Sequence, residues 1–310
     1  MPAKVGRRLQ LFNDPGELGK IGQVWFIESL ADDDIHTGRR LREDLEDLRT
    51  ARRLKLRVVL RRAANRAEFS AALEELRASV VATGLNPILD IECHGDDDLG
   101  LQLADGSLVA WDELKAKLEA INVYARFNLI LVLGCCYGAY FGREARLYER
   151  APFVAYIAPT ERIEVRILAA GLHAFYEELF TSFDISNAVN ALGAAAPGFG
   201  YLYSSALGLF RSVFGMLIRE EGSVEGLRRR AQAMVQRAQA ESGKTLDVDE
   251  LARFIKAREP EQFEQLMRTY FAFDLFPENA ARFPLTYADV QRDAVERATL
   301  RMNHRGGYRS

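Results

Sequence analysis

Strand-like and helix-like segments alternate along the first two thirds of this 310-residue chain. Between the first two strand-like segments, Leu41, Leu45 and Leu48 recur at helical spacing among charged residues. A second amphipathic segment, RAEFSAALEELRASVVATG, ends at Gly84, a residue type favoured just after helix C-termini. The strand-like segments are QVWFIESL, LKLRVVLRR, PILDIEC, NLILVLGC, PFVAYIA and GYLYSS. This alternation predicts a doubly wound α/β domain with a largely parallel, six-stranded sheet.

Two regions depart from the alternation. LGLQLADGSLVAW alternates apolar and polar residues on both sides of Asp105-Gly106, a dipeptide suited to a tight turn, and so predicts a β-hairpin. After about residue 219 the strand pattern gives way to helical patterns, in SVEGLRRRAQAMVQRAQAESG, DVDELARFIKAREPEQFEQLMRTYFAF and TYADVQRDAVERATLRM. We therefore expect an N-terminal arm over 1–21, an α/β domain over 22–218 and a helical C-terminal region over 219–310.

Composition narrows the class of protein. A net charge of −3, from 41 basic and 44 acidic residues, gives no reason to expect nucleic acid or an anionic membrane as the main partner. The apolar stretch from Tyr201 to Ile218 is short for a bilayer and contains Arg211, so we expect a strand followed by a helix. The N-terminal residues lack the apolar core of a signal peptide, which favours a cytoplasmic location.

The cysteines do not follow the spacing of a disulfide framework or a structural zinc site. There are only three, and Cys135 and Cys136 are adjacent. We expect free thiols and no metal cluster. Two of the four histidines, His36 and His173, fall in a loop and on an amphipathic helix, where structural or exposed roles are the ordinary case.

The candidate catalytic residues follow two of the strand-like segments. Ligand sites of open α/β sheets lie beyond the carboxyl ends of the parallel strands. His94 and Gly95 follow PILDIEC, and Cys135 and Cys136 come at the end of NLILVLG. A thiolate nucleophile needs a nearby base and amide hydrogens directed at the developing oxyanion. His94 and Cys136 match the first need, and the amides of Gly95 and Cys136 match the second.

These motifs resemble a known family. ECHG, LADGSLVAWDEL and LILVLGCCYG, in this order, resemble the caspase-like cysteine peptidases, the clan of caspases, metacaspases and separases, and most closely its bacterial CHAT branch. Phe175, Tyr176 and Leu179 match that family's Phe-Tyr-x-x-Leu helix. The resemblance covers about 22–218. It implies a three-layer α/β/α sandwich with a hairpin insertion, and a cysteine endopeptidase that needs no cofactor.

The adjacent cysteines leave two alignments open. Counting from the strand, Cys136 occupies the nucleophile position and Cys135 the preceding small-residue position. Counting back from Gly138, Cys135 becomes the alternative nucleophile. We favour Cys136, with Cys135 and Cys93 as small buried fillers. No third member of a triad is assigned, and Asp90, inside the strand before His94, is a weak candidate.

The resemblance also suggests where a substrate side chain binds. In this family the loop after the first strand, here containing Asp32, Asp33 and Asp34, and the segment APTERIE form the pocket for the residue before the scissile bond. An acidic pocket favours arginine or lysine. The alternative is a solvated loop with Asp34 near a helix N-terminus.

Two functions from different classes follow. The first is a cysteine endopeptidase with Cys136 and His94 as a catalytic pair, acting on protein substrates. For this function the resemblance implies a bacterial stress, defence or cell-death pathway and control by a regulatory partner. The second is a catalytically silent caspase-like scaffold that binds other proteins. The C-terminal helices fit either a partner-binding region or an extension of the core. A nucleotide-binding enzyme is disfavoured because ESLADDDIHTG lacks a glycine-rich phosphate loop.

Overall fold

The computed structural model describes residues 21–243, 245–294 and 296. They form two compact units, one comprising 21–146 with 151–206 and the other 147–150 with the described residues from 207 onward. The expected boundary at 218 falls inside the helix Ala206–Glu220. The expected N-terminal arm lies outside the described residues except for Ile21.

The first unit is built on a mostly parallel sheet. The strands are β1 (Ile21–Ser29), β2 (Arg57–Arg62), β3 (Asn86–Asp96), β4 (Gly100–Gln102), β5 (Leu108–Val109), β6 (Ile130–Gly134), β7 (Ala155–Pro159) and β8 (Tyr201–Ser205). In space the strands of the main sheet follow the order β2-β1-β3-β6-β7-β8, and within it only the β7–β8 pair is antiparallel. All six strand-like segments therefore form strands, as predicted.

Helices cover both faces of this sheet. The helices of the unit are α1 (Thr37–Arg52), α2 (Arg66–Thr83), α3 (Trp111–Tyr124), α4 (Val165–Ser182) and α5 (Ile185–Ala195). Gln23 and Phe26 of β1 point to opposite faces of the sheet and contact different helix layers. Gln23 contacts Ser79 of α2 through a 2.9 Å hydrogen bond, whereas Phe26 packs on Tyr176 of α4 with ring centroids 5.6 Å apart. The predicted three-layer α/β/α arrangement is thus present.

The hairpin is also present and lies beside a candidate site residue. β4 pairs antiparallel with β5 and with the end of β3, where Gln102 is opposite His94. Gly106 has a φ of 81°, a conformation that glycine adopts without strain. The hairpin therefore extends the strand that carries His94.

The chain after β6 continues as a 3₁₀-helix and not as an α-helix. Tyr137 adopts a left-handed conformation with a φ of 58°, and the next segment, Gly138–Glu144, is a 3₁₀-helix. A Cβ at Gly142 would lie 2.3 Å from the Tyr156 hydroxyl, so the segment packs closely on β7. Its two glycines weaken the α-helical preference of a seven-residue segment.

The second unit is helical, as predicted for the C-terminal region. Ser223 caps one helix by accepting a 3.0 Å hydrogen bond from the Gly226 amide, and Gly243 ends the same helix in the left-handed conformation. Its helices are α6 (Ala206–Glu220), α7 (Val224–Ser242), α8 (Val248–Ala257), α9 (Glu259–Tyr270) and α10 (Asn279–Arg282), followed by helical residues 287–294.

Two features of this unit, a break between helices and a helix cap, go beyond the helical pattern of the sequence. DVDELARFIKAREPEQFEQLMRTYFAF is divided between α8 and α9 at Arg258, because Pro260 lacks an N–H and favours the first turn of a new helix. Thr286 and Asp289 cap the helical residues that begin at 287 through reciprocal 3.2 Å hydrogen bonds. Among the described residues, no helix combines the length and apolar character needed to span a bilayer.

Candidate functional site

The two expected strand ends meet at one edge of the sheet. β3 and β6 are parallel neighbours, with Glu92 opposite Gly134. His94 follows two residues later on β3, and Cys136 follows two residues after the end of β6. Both side chains line one cavity of about 340 Å³ at the carboxyl ends of the strands. The fold thus brings together the two residues that the sequence motifs selected.

Asp34 is the hydrogen-bonding partner of His94. Its Oδ2 lies 3.0 Å from His94 Nε2, and the same oxygen accepts a 3.0 Å hydrogen bond from the Ala31 amide. Asp34 is partly buried, whereas the His94 side chain is 55% exposed. The arrangement holds Nε2 as the protonated nitrogen and leaves Nδ1 able to accept a proton.

Cys136 is placed for attack from the cavity. Its Sγ lies 3.8 Å from the Ile163 carbonyl oxygen, in the segment that follows β7. Within the described part of the chain, the Cys136 amide N–H donates to no protein group. A Cβ on Gly95 would lie 2.2 Å from the Cys136 carbonyl oxygen, so the two backbones are in direct contact. The predicted oxyanion role of the Gly95 and Cys136 amides remains a prediction.

Cys135 occupies a different environment from Cys136. Its side chain is buried, and Cys93 beside it is buried as well. The neighbouring Cys93 thiol and burial together raise the pKa of the Cys135 thiol well above its usual value. Cys136 is half-buried and faces the cavity through its own side chain. A protonated, buried thiol is a poor nucleophile, so these environments favour Cys136 over Cys135.

The acidic run after β1 is divided between two places. Asp33 and Asp34 line the cavity with His94 and Cys136. Asp32 instead forms a 3.0 Å ion pair with Arg62, outside this cavity. Arg162, from the segment after β7, also lines the cavity, so its wall carries both signs of charge.

A buried layer of carboxyl groups lies below the site, inside β3. Asp90 and Glu92 are fully buried, and within the described residues Asp90 Oδ1 and Glu92 Oε1 have no hydrogen-bond partner. The Tyr176 hydroxyl donates a 2.7 Å hydrogen bond to Asp90, and the Thr37 hydroxyl donates to Glu92. Burial raises the pKa of Asp90 to about 7 and the pKa of Glu92 well above its usual range.

Glu28, a further buried carboxylate, fixes the loop that carries Asp34. Glu28 of β1 accepts a 3.0 Å hydrogen bond from the Arg39 amide in the first turn of α1, and its other oxygen lies 2.9 Å from His36 Nδ1. A carboxylate satisfies the unpaired amides of a helix N-terminus. Together with the bond from Thr37 to Glu92, these contacts anchor the end of the loop over 30–36.

The buried carboxyl groups predict a pH-dependent stability. Because the pKa of Asp90 is higher in the folded chain than in the unfolded chain, the folded state binds more protons between about pH 4 and about pH 7. The contribution of Asp90 is therefore complete at low pH and is lost as pH rises through about 7. We expect Asp90→Asn to flatten the decline in the free energy of unfolding between about pH 5 and about pH 8, measured by urea denaturation.

The exposed variant Asp98→Asn is the matched control for this measurement and should keep the wild-type slope. The amide at position 90 still accepts the hydrogen bond from Tyr176, so the variant removes the proton exchange with little loss of packing. Equal slopes for wild type and Asp90→Asn would contradict the assignment.

The other two histidines considered from the sequence each contact a nearby carboxylate. His36 pairs with Glu28, and His173 of α4 lies 2.9 Å from Asp44 of α1 while remaining half-exposed. Both positions match the structural or exposed roles expected for them. The contact between Asp34 and His94 and the layer of Glu28, Asp90 and Glu92 were not predicted. The sequence contains one signal for this layer: Asp90 and Glu92 are two residues apart in an otherwise apolar strand and therefore share one face of the sheet.

Comparisons with known proteins do not add to this description. No protein-family model matches the chain. A search among curated proteins also finds no match. The geometry of the cavity and the sequence motifs are therefore the basis for assigning a function.

Proposed function

We propose that this chain is a caspase-like cysteine endopeptidase in which Cys136 is the nucleophile and His94 the acid–base residue. One observation carries the proposal: the ends of two adjacent parallel strands bring His94 and Cys136 to the same cavity. The α/β/α layers and the hairpin beside β3 agree with the fold that the motif resemblance implies. The resemblance further suggests a cytoplasmic enzyme of a bacterial stress, defence or cell-death pathway.

In the proposed reaction, Cys136 Sγ attacks the substrate carbonyl carbon, and the oxyanion forms near the unpaired Cys136 amide and the backbone of Gly95. His94 takes the thiol proton and then protonates the leaving amine. The C–N bond breaks and leaves a thioester on Cys136. Water, deprotonated by His94, then attacks the thioester carbon, the C–S bond breaks, and the acid product leaves as His94 returns the proton to Cys136. No step requires a cofactor.

Asp34 has a defined part in this scheme as a positioning residue. By accepting a hydrogen bond from His94 Nε2, it orients the ring and stabilises the imidazolium that forms during attack. The Asp34 loop is held in turn by Glu28 and Glu92 through the first turn of α1. We therefore assign Asp34 to the chemistry and Asp33 to recognition of a basic side chain before the scissile bond.

The resting arrangement is consistent with control by a protein partner. Cys136 contacts the Ile163 carbonyl and His94 contacts Asp34, and within the described residues no hydrogen bond joins Cys136 to His94. A small movement of the segment after β7 would release the thiol toward the histidine. If no condition brings Cys136 and His94 together, the missing hydrogen bond between them favours the second candidate, a catalytically silent scaffold.

A series of neighbouring aspartates tests both the proposed chemistry and the proposed specificity. The substrates are fluorogenic peptides varied at the residue before the cleaved bond. Asp33→Asn should lower kcat/KM for arginine and lysine peptides by about tenfold, because it removes a charge from the cavity wall. Asp34→Asn should lower kcat for every cleaved peptide by at least about 100-fold, because His94 loses its orienting carboxylate.

Asp32→Asn is the matched control, since Asp32 belongs to the same loop but pairs with Arg62 outside the cavity. It should retain wild-type rates. A loss limited to basic peptides in Asp34→Asn would reassign Asp34 to substrate binding. Absence of cleavage by the folded wild-type chain, both alone and with a lysate of its own cells, would favour the scaffold.

A further inference from the structure

Two buried thiols lie on neighbouring strands beside the candidate nucleophile. Glu92 of β3 is opposite Gly134 of β6, so the next residues along the two parallel strands, Cys93 and Cys135, are cross-strand neighbours. Both residues also line the cavity that contains Cys136. Adjacent strands lie about 4.8 Å apart, which is within the Cα separation of disulfides, about 4.4–6.8 Å.

We propose that Cys93 and Cys135 form a reversible disulfide when the chain meets hydrogen peroxide, while Cys136 remains outside that bond. This inference does not depend on peptidase activity. It depends on the register of β3 and β6 and on the cavity that both thiols line.

The cavity selects a small oxidant. Cys93 and Cys135 are only 5% and 1% exposed, respectively, yet both line the cavity of about 340 Å³ together with Cys136. A peroxide molecule is small enough to enter such a space, whereas glutathione disulfide cannot bring its sulfur atoms to thiols buried to this extent. The proposed oxidant is therefore hydrogen peroxide or a peroxide of similar size.

The reaction balances with one peroxide. Cys93, which is more exposed to the cavity than Cys135, attacks peroxide with its sulfur, so that an S–O bond forms and the O–O bond breaks, and the departing hydroxide takes up the thiol proton as water. The second sulfur then attacks the sulfenic sulfur, an S–S bond forms, and the S–O bond breaks with release of a second water. Two thiols are oxidised by two electrons, and one peroxide is reduced to two waters.

The directions of the side chains disfavour the alternative bond between Cys135 and Cys136. Cys135 Sγ lies 3.2 Å from the positions that a Cβ on Gly95 or Gly138 would occupy, beneath the backbone of the site. Cys136 Sγ instead contacts the Ile163 carbonyl. Joining adjacent cysteines would require the backbone between them to change conformation. Cys93 and Cys135 instead lie at neighbouring positions of parallel strands, where side chains point to the same face of the sheet.

Peptide mapping of the full chain tests the proposal. Reduced protein is treated with hydrogen peroxide, blocked with N-ethylmaleimide and digested with trypsin without reduction, which places Cys93 on residues 78–115 and both Cys135 and Cys136 on residues 127–143. We expect these peptides to be linked in wild type and in Cys136→Ala, and linkage to be at least about tenfold lower in Cys135→Ala and Cys93→Ser. Dithiothreitol should remove the link.

Two results would overturn the assignment. Linkage that survives in Cys135→Ala but disappears in Cys136→Ala would transfer the bond to Cys136. Absence of linkage in the folded chain, when the same treatment in urea links the peptides, would show that the native site does not form the disulfide. Since the readout is mass spectrometry, failure here is distinguishable from absence of peptidase activity.

Discussion

Cys136→Ala is expected to abolish peptide cleavage, with kcat/KM lowered by at least about 10³-fold, whereas Cys135→Ala retains most of the wild-type rate. The difference follows from the two environments. Cys136 faces the cavity beside its own unpaired amide, while the pKa of the buried Cys135 thiol is raised by Cys93 and by burial. Steady-state cleavage of fluorogenic peptides by the two variants measures this difference in kcat/KM.

The two alanine variants are controls for each other, because they remove one thiol each from neighbouring positions of the same turn. Circular dichroism and urea denaturation establish that both are folded. If Cys135→Ala were inactive and Cys136→Ala active, the alternative alignment, counted back from Gly138, would be the correct one.

Gly95→Ala is expected to impair both stability and activity. The added Cβ would lie 2.2 Å from the Cys136 carbonyl oxygen, a backbone atom that no change of rotamer can move. Overpacking of this kind costs about 1–3 kcal/mol, and we expect the upper part of this range because the backbone of the turn after β6 must shift. The same shift displaces Cys136, so cleavage should fall by at least about 100-fold.

Gly193→Ala provides the matched control. Gly193 lies in α5, is exposed and has no atom near the position of an added Cβ, so alanine should raise the free energy of unfolding by about 0.5–1 kcal/mol. Equilibrium urea denaturation compares the two variants. A Gly95→Ala chain as stable as wild type would contradict the close contact between β3 and the turn after β6.

The main elements of the α/β unit could be predicted from the sequence because each is specified locally. Apolar runs such as NLILVLGC suit strands buried on both faces, and Asp105-Gly106 suits the turn of the hairpin. The junction between α8 and α9 shows where this reasoning was incomplete. Helical periodicity continues across Arg258, but the missing N–H of Pro260 starts a new helix.

The site could be predicted only in part. The placement of His94 and Cys136 at neighbouring strand ends follows from the general position of ligand sites in parallel sheets. The contact between Asp34 and His94 does not, because it depends on the course of a loop through space and on the anchoring of that loop by Glu28. The 3₁₀-helix after Tyr137 likewise follows from tertiary packing against Tyr156.

The most direct test of the central proposal is covalent labelling of the folded chain with a peptide chloromethyl ketone that carries arginine next to the reactive group. Peptide mapping should find one adduct on residues 127–143, located on Cys136 by fragmentation, absent from Cys136→Ala and strongly slowed in His94→Ala. An adduct on Cys135, or no adduct in a wild-type chain whose Cys136 still reacts with iodoacetamide, would contradict the proposed peptidase.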